Sequence, residues 1–170
     1  MIDEVDVLAG QKRALTEGEE RLWSGYLRAT GLLSDRLDRY TAKTAGMPHV
    51  HYRLLIRLSE DAGQRMRMID LAAAAKISRS RLTHAIVRLE SKGWVVREEC
   101  PGDGRQLFAT LTDEGRALLA KTGPGYAALL RAYVFDGLTA EQQRSLGVLA
   151  DIIAERLQTQ GSADDLPWRR

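Results

Sequence analysis

The chain is poor in the residues that would mark several large functional classes. It has one cysteine, Cys100, in 170 residues, which excludes an intramolecular disulfide and a zinc site built from paired thiolates. No apolar run approaches the ~18 residues needed to span a bilayer. The first residues, MIDEVDVLAG, lack a basic region followed by an apolar run, so no secretory leader is expected and the protein should be cytoplasmic. There is no internal repeat and no low-complexity tract. Nucleophile elbow, phosphate-cradling Gly-rich loop and His-Glu-x-x-His pair are all missing, so neither an enzyme nor a bound metal or cofactor is expected. Excess charge is lacking too: the net value is only +2. Bulk electrostatics therefore announces no nucleic-acid partner, and the distribution of charge has to decide.

What is present is mainly helical periodicity. Thr16-Glu17-Gly18-Glu19 reads as a capping box, and Leu22, Tyr26, Leu33, Leu37 and Tyr40 then recur at helical spacing up to a stop near Gly46. Pro48 suits the first turn of a second helix, with Tyr52, Leu55, Ile56 and Ser59 on its inner face and Asp61-Ala62-Gly63 at its end. A short helix over Met68–Ala75 and a turn through Lys76-Ile77-Ser78 lead to a further helix from Arg79 to Lys92, stopped by Gly93. The period then changes from 3.6 to 2. Residues 94–99 and 106–111 read as two strands joined at a Gly-Asp-Gly tip. Thr112 caps another helix, expected to kink or break at Gly123-Pro124-Gly125. A second capping box at Thr139–Gln142 opens a last helix carrying Leu146, Leu149, Ile153 and Leu157. The ends, 1–15 and 159–170, show no periodicity and are expected to be flexible.

On the Arg79–Lys92 helix, Leu82, Ala85, Ile86 and Leu89 form one apolar stripe. Ser80, His84, Val87 and Ser91 lie opposite, flanked by Arg81, Thr83 and Arg88. From Lys76 to Lys92 five cations face one carboxylate, Glu90: a local charge of +4 in a chain of +2. The rest of the molecule is therefore net acidic. A short helix, a tight turn and a second helix with a basic outer face match a helix-turn-helix whose second helix enters the DNA major groove. A solvated face on an ordinary core helix is the plain alternative. The neighbouring hairpin favours DNA, because an arginine on a thin loop, here Arg105, can enter a minor groove.

Several segments, in order, resemble the MarR family of transcriptional regulators. Met68-Ile69-Asp70-Leu71-Ala72 is similar to the start of the family's first reading helix. Ser80-Arg81-Leu82-Thr83 and Arg88-Leu89-Glu90 with Gly93 resemble its recognition helix. Asp103-Gly104-Arg105, Leu111-Thr112 and Gly115-Arg116 resemble its wing and the helix that follows. The resemblance covers roughly residues 17–157. It implies a mostly α fold with a small β-hairpin wing: a winged helix-turn-helix over 48–111 and a helical dimerisation region over 16–47 and 112–158. The DNA-binding candidates it implies are Ser78, Arg79, Ser80, Arg81, Thr83, His84, Arg88, Asp103 and Arg105, with Arg105 in the minor groove and Asp103 orienting it. Position 84 is commonly basic in the family and is histidine here. Val87 stands where the family is often polar.

The outer helices carry apolar stripes that need burial, which agrees with the family's symmetric dimer and with an inverted-repeat operator on double-stranded DNA. The resemblance also implies a homodimeric repressor released by a small, often aromatic, effector. Trp23, Tyr26, His49, His51 and Arg53 are the candidates to line its site. Trp23 and Tyr26 read more readily as core of a long helix, and Arg53 as a surface ion-pair partner. His49 and His51, two apart, cannot share a helix face. Cys100, beside the wing, is either inert or an oxidisable thiol. A winged-helix protein-interaction module without sequence-specific DNA binding is the competing function.

Overall fold

The computed structural model describes residues 14–100 and 103–159; side chains are described for all of these but Cys100, 103–106 and 158–159. The ends expected to be flexible therefore lie outside the described residues, except Ala14, Leu15 and Thr159. Six helices and three strands follow one another: α1 Glu17–Ala45, α2 His49–Glu60, β1 Arg65–Arg67, α3 Met68–Ala75, α4 Arg79–Glu90, β2 Val95–Cys100, β3 Asp103–Leu111, α5 Asp113–Leu130, a π-helical turn Arg131–Phe135, and α6 Ala140–Thr159. No helix among the described residues is long and apolar enough to cross a membrane.

Local chemistry explains most boundaries. Thr16 and Glu19 close the capping box at the start of α1, with the Thr16 N–H donating to Glu19 Oε2 at 2.7 Å. Gly46 ends that helix at φ 66°, a left-handed conformation that an L side chain resists. Pro48 sits one residue earlier than a first-turn position, as the N-cap of α2. Thr112 caps α5, and Thr139 with Gln142 forms the second capping box.

Three expectations need correction. The sheet is not a hairpin alone: β1 joins β3, giving the antiparallel order β1-β3-β2, with Met66 opposite Ala109 and Val95 opposite Leu111. Arg65 stacks over the Phe108 ring, 4.0 Å from its centroid, and so helps hold β1 in place. The second difference is in α2, which buries Leu54 and Leu58 as well as Tyr52 and Leu55, while Ser59 is exposed and donates back to the Ile56 carbonyl. This helix is packed on more than one side, against α1, α3, α5 and β3, so a single stripe does not describe it. The third is α5, which runs through Gly-Pro-Gly without a break. Pro124 and Ala120, whose carbonyl loses its helical donor, are both exposed, so water can serve that carbonyl. On the inner side Tyr40 Oη donates to the Thr122 carbonyl at 2.7 Å, and Gly125 lies so close to that hydroxyl that a β-carbon would collide with it.

One core unites α2 to α5 and the sheet. Leu54, Leu55, Leu58, Leu71, Leu82, Ile86, Leu89, Val95 and Leu111 are buried in it, with Ala45 and Met47 entering from the end of α1. The first half of α1 and all of α6 stand outside this core.

Candidate nucleic-acid interface

Two short helices and a tight turn hold the exposed basic face. α3 ends at Lys76 in a left-handed conformation (φ 56°), its N–H reaching the Ala72 and Ala73 carbonyls. The Ile77 N–H donates to the same Ala72 carbonyl at 3.2 Å. Ser78 then caps α4, its side chain accepting from the Arg81 N–H. The stripe Leu82, Ala85, Ile86 and Leu89 is buried. That burial fixes the rotation of α4 and leaves Arg79, Ser80, Arg81, Thr83, His84, Val87 and Arg88 exposed.

Not all of these are equally available. The Thr83 hydroxyl donates to the Arg79 carbonyl at 2.9 Å, and the Ser78 and Ser80 hydroxyls are 3.2 Å apart. Arg79, Arg81 and Arg88 are paired with no carboxylate in any ion pair among the described residues. The helix is braced to the sheet by Glu90, which takes the Arg97 guanidinium at 2.6 Å and also accepts from the Arg97 N–H. The Arg97 hydrogen bond is the chief reason the Glu90 carboxyl titrates below its ordinary range.

Between the start of α4, the start of α3 and strand β3 lies an open cleft of about 610 Å3, bordered by Arg67, Ile69, Asp70, Arg79, Thr83 and Leu107. Arg67 pairs with Asp70 at 2.6 Å on its rim. Sequence reasoning passed over Arg67. A three-residue strand, Arg65–Arg67, delivers it to the first turn of α3, and a segment so short carries no period that the sequence alone displays. Asp103 and Arg105 fall in the backbone of β3, next along the same sheet. Their side chains, that of Cys100, and Pro101 and Gly102 lie outside what is described, as therefore does part of the expected Gly-Asp-Gly tip.

The five candidate effector residues do not converge within one chain. Trp23 and Tyr26 stack on each other, ring centroids 5.8 Å apart, but both are half exposed, so neither is core of the single chain. About 18 Å of helix separates Tyr26 from Asp38. There His49 begins α2, its N–H donating to Asp38 Oδ1 at 2.8 Å and its Nε2 lying 3.0 Å from Tyr126 Oη. Tyr126 also packs on Tyr40 and Tyr52, and Tyr52 Oη is 2.9 Å from the Thr122 hydroxyl. Burial, then the nearby Arg53, lower the His49 pKa, and Asp38 partly opposes them. Burial raises the hydroxyl pKa of Tyr52 and Tyr126. Arg53 is exposed and makes no ion pair among the described residues. His51 points elsewhere, to Arg88 at the far end of α4.

Comparison with known proteins adds to this geometry. A model of the MarR family matches residues 45–106, the segment from the end of α1 into the wing. The structure is similar to Sco3205, a MarR family transcriptional regulator from Streptomyces coelicolor solved in complex with DNA. The TM-score is 0.90 at 52% identity, over 94% of this chain and 99% of that one. Among curated proteins, it is 41% identical over 68 residues to YkoM of Bacillus subtilis, an uncharacterized HTH-type transcriptional regulator, covering 40% of this chain and only 44% of YkoM. It is 34% identical over 99 residues to the HTH-type transcriptional repressor Mb2911 of Mycobacterium bovis, covering 58% of this chain and 69% of that protein. These relatives are regulators of transcription, not enzymes.

Proposed function

This chain belongs to the MarR family of transcriptional regulators, and on that footing we propose that it binds double-stranded DNA sequence-specifically as a homodimeric repressor released by a small ligand. The observation that carries the reading is the unpaired cationic face of α4 beside a cleft that leads to the wing. In this reading residues 48–111 form the reading unit. Arg81 and His84 reach base edges in the major groove. Ser78, Arg79, Ser80, Thr83 and Arg88 position the helix on phosphates. The strand backbone between the two grooves runs through the cleft past Arg67, and Arg105, steadied by Asp103, enters the minor groove.

Dimerisation belongs to residues 16–47 and 112–158. Leu22, Trp23 and Tyr26 on α1, Tyr133 and Phe135 on the π turn, and Leu146, Leu149, Ile153 and Leu157 on α6 are all exposed in the single chain. A surface this apolar on helix faces is what a two-fold partner would cover. Two reading units about one DNA turn apart call for an inverted repeat. Repression is favoured by the kinship with Mb2911. For the effector, the junction of α1, α2 and α5 is the place we favour, where His49 stacks on Tyr126 and the Arg53 charge acts on both, so that an aromatic anion would find a cation and aromatic rings together.

The test is fluorescence anisotropy with a labelled duplex enriched from a random library by the purified chain, against unrelated duplex, at several salt concentrations. Tight, selective binding that weakens with salt is expected. Arg105→Ala should weaken it without altering the oligomeric state. Arg81→Ala should cost about 1–3 kcal/mol and relax the preference at one base pair. No binding at low salt would return the protein-interaction module.

A further inference from the structure

A second hollow, about 180 Å3, lies at the other end of α4. Its polar lining is His51 from the first turn of α2 with Arg88, Ser91 and Lys92 from the end of α4, and its apolar walls include Met47 and Trp94. Arg88 continues the line of exposed residues Arg81 and His84 at helical spacing, and Ser91 and Lys92 follow it in the C-cap and turn just past the end of α4. The hollow is thus the end of the DNA-facing stripe rather than a separate surface. Three nitrogen bases and a hydroxyl point at one small volume, and no carboxylate is among the residues that line it. Neither Arg88 nor Lys92 makes an ion pair among the described residues. The Ser91 hydroxyl spends its proton on the Arg88 carbonyl, at 2.8 Å.

We propose that this hollow seats one backbone phosphate of the bound duplex, gripped by Arg88, Lys92 and a protonated His51, so that binding DNA takes up a proton. The proposal rests on the DNA-binding reading above and gives His51 a role there in place of an effector contact. The charged groups facing the His51 ring are the cations of α4; the link before α2 contributes only Gly46, Met47 and Pro48, and Trp94 is neutral. In the free protein, burial and then Arg88 hold the His51 pKa below its ordinary value, which disfavours the imidazolium. A phosphate between the two reverses the Arg88 effect and supplies an anion to the imidazolium. The pKa in the complex is therefore raised above that in the free chain. Affinity must then rise as pH falls through the value in the complex, and level off below the value in the free chain.

Anisotropy of the full chain on its enriched duplex, from pH 8.5 to 5.5 at constant ionic strength, tests this. The dissociation constant should fall about tenfold per subunit, hence about a hundredfold for the dimer, for each unit by which the phosphate raises the His51 pKa. His51→Gln should flatten that profile, and Arg88→Gln with Lys92→Gln, both at exposed positions, should reduce the slope of log affinity against log salt by about 0.9 per subunit. His84→Gln is the needed control, since that imidazole also lies on the reading face, and it should leave the slope of the pH profile in place. The proposal is overturned if His51→Gln keeps the wild-type profile, if His84→Gln alone removes it, or if Arg88→Gln with Lys92→Gln leaves the salt slope unchanged. It is likewise overturned if millimolar inorganic phosphate shifts the His51 ring resonances while duplex does not, which would make the hollow a site for free anions. A chain that binds no duplex at any pH overturns the DNA-binding reading itself, whereas pH-independent binding overturns this inference alone.

Discussion

Helices α4 and α6 are built on the same pattern and end in opposite states. Each repeats leucine and isoleucine every three or four residues. In α4 the stripe is sealed: Leu82 and Leu89 are 1% exposed and Ile86 not at all. In α6 the stripe is open: Leu149 is 57%, Ile153 51% and Leu157 68% exposed, and none of its described residues is buried. The difference does not lie in either helix. It lies in whether the partner surface is in the same chain. For α4 the partners are α3 and β2, and the reading unit completes its own core. For α6 no such surface is offered among the described residues, and burying each such side chain is worth about 1.5–3 kcal/mol. A stripe of that worth left open is the strongest physical argument for a second copy.

The sharpest way to break this contrast is to charge the open stripe. Leu149→Asp with Ile153→Asp should convert a dimer into a monomer in sedimentation while leaving the helical circular dichroism of the reading unit in place. Each subunit would then bind its half-site alone, and affinity for an inverted repeat should fall by about 10²–10⁴. A double variant that sediments like the wild type would show that the open stripe of α6 is not the interface. The converse substitution works on the sealed stripe. Leu82→Ala should cost about 2–5 kcal/mol in urea unfolding, and the cost should not vary with protein concentration. Leu149→Ala, by contrast, should lower the midpoint by an amount that grows with protein concentration, leaving the variant's midpoint less dependent on concentration than the wild type's.

The joint between the two regions responds to smaller changes. Tyr40 of α1 reaches α5 at Gly125 and donates to the Thr122 carbonyl. A methyl at 125 has no room, so Gly125→Ala should destabilise by about 1–3 kcal/mol through forced repacking. In the double variant Gly125→Ala with Tyr40→Phe, which removes the colliding hydroxyl, part of that loss should return. A Gly125→Ala chain as stable as the wild type would show that α1 and α5 are not held together here.

The same contrast explains how far the sequence could be read. The capping boxes at Thr16 and Thr139, the apolar stripe of α4 and the change of period at residue 94 were all legible, because each is a local pattern with one physical cause. β1 was not, since three residues carry no measurable period and the strand exists only because β3 offers it an edge. Leu54 and Leu58 were missed because α2 is packed on several sides, which a one-stripe reading cannot express. Of the kink or break expected at Gly-Pro-Gly in α5, the break does not occur, because the one carbonyl that Pro124 orphans, Ala120, faces solvent. The basic face of α4 could be read from charge alone. The effector candidates could not be brought together, because a 29-residue helix separates Trp23 and Tyr26 from His49 by a length the sequence does not display as distance.

The smallest expected effect tests how the reading helix and the wing are joined. Glu90 sits at the end of α4 and Arg97 in β2, at 2.6 Å with both side chains 32% exposed. The Arg97 contacts hold the Glu90 carboxyl below its ordinary pKa. A carboxyl depressed in the folded state contributes stability that is complete above the ordinary glutamate range and is lost as pH falls through the lowered value. Because solvent reaches both partners, the contribution should stay below about 1 kcal/mol. Glu90→Gln should therefore lower the melting temperature slightly at pH 7 and match the wild type at the acid end, so that the two melting curves converge as pH falls. Its effect on DNA should be felt more in selectivity than in stability, because the pair sets the angle between an element for the major groove and one for the minor groove. Parallel melting profiles for variant and wild type across that range would mean that Glu90 gains nothing from Arg97, and that the buried Leu89 and Val95 alone set the angle.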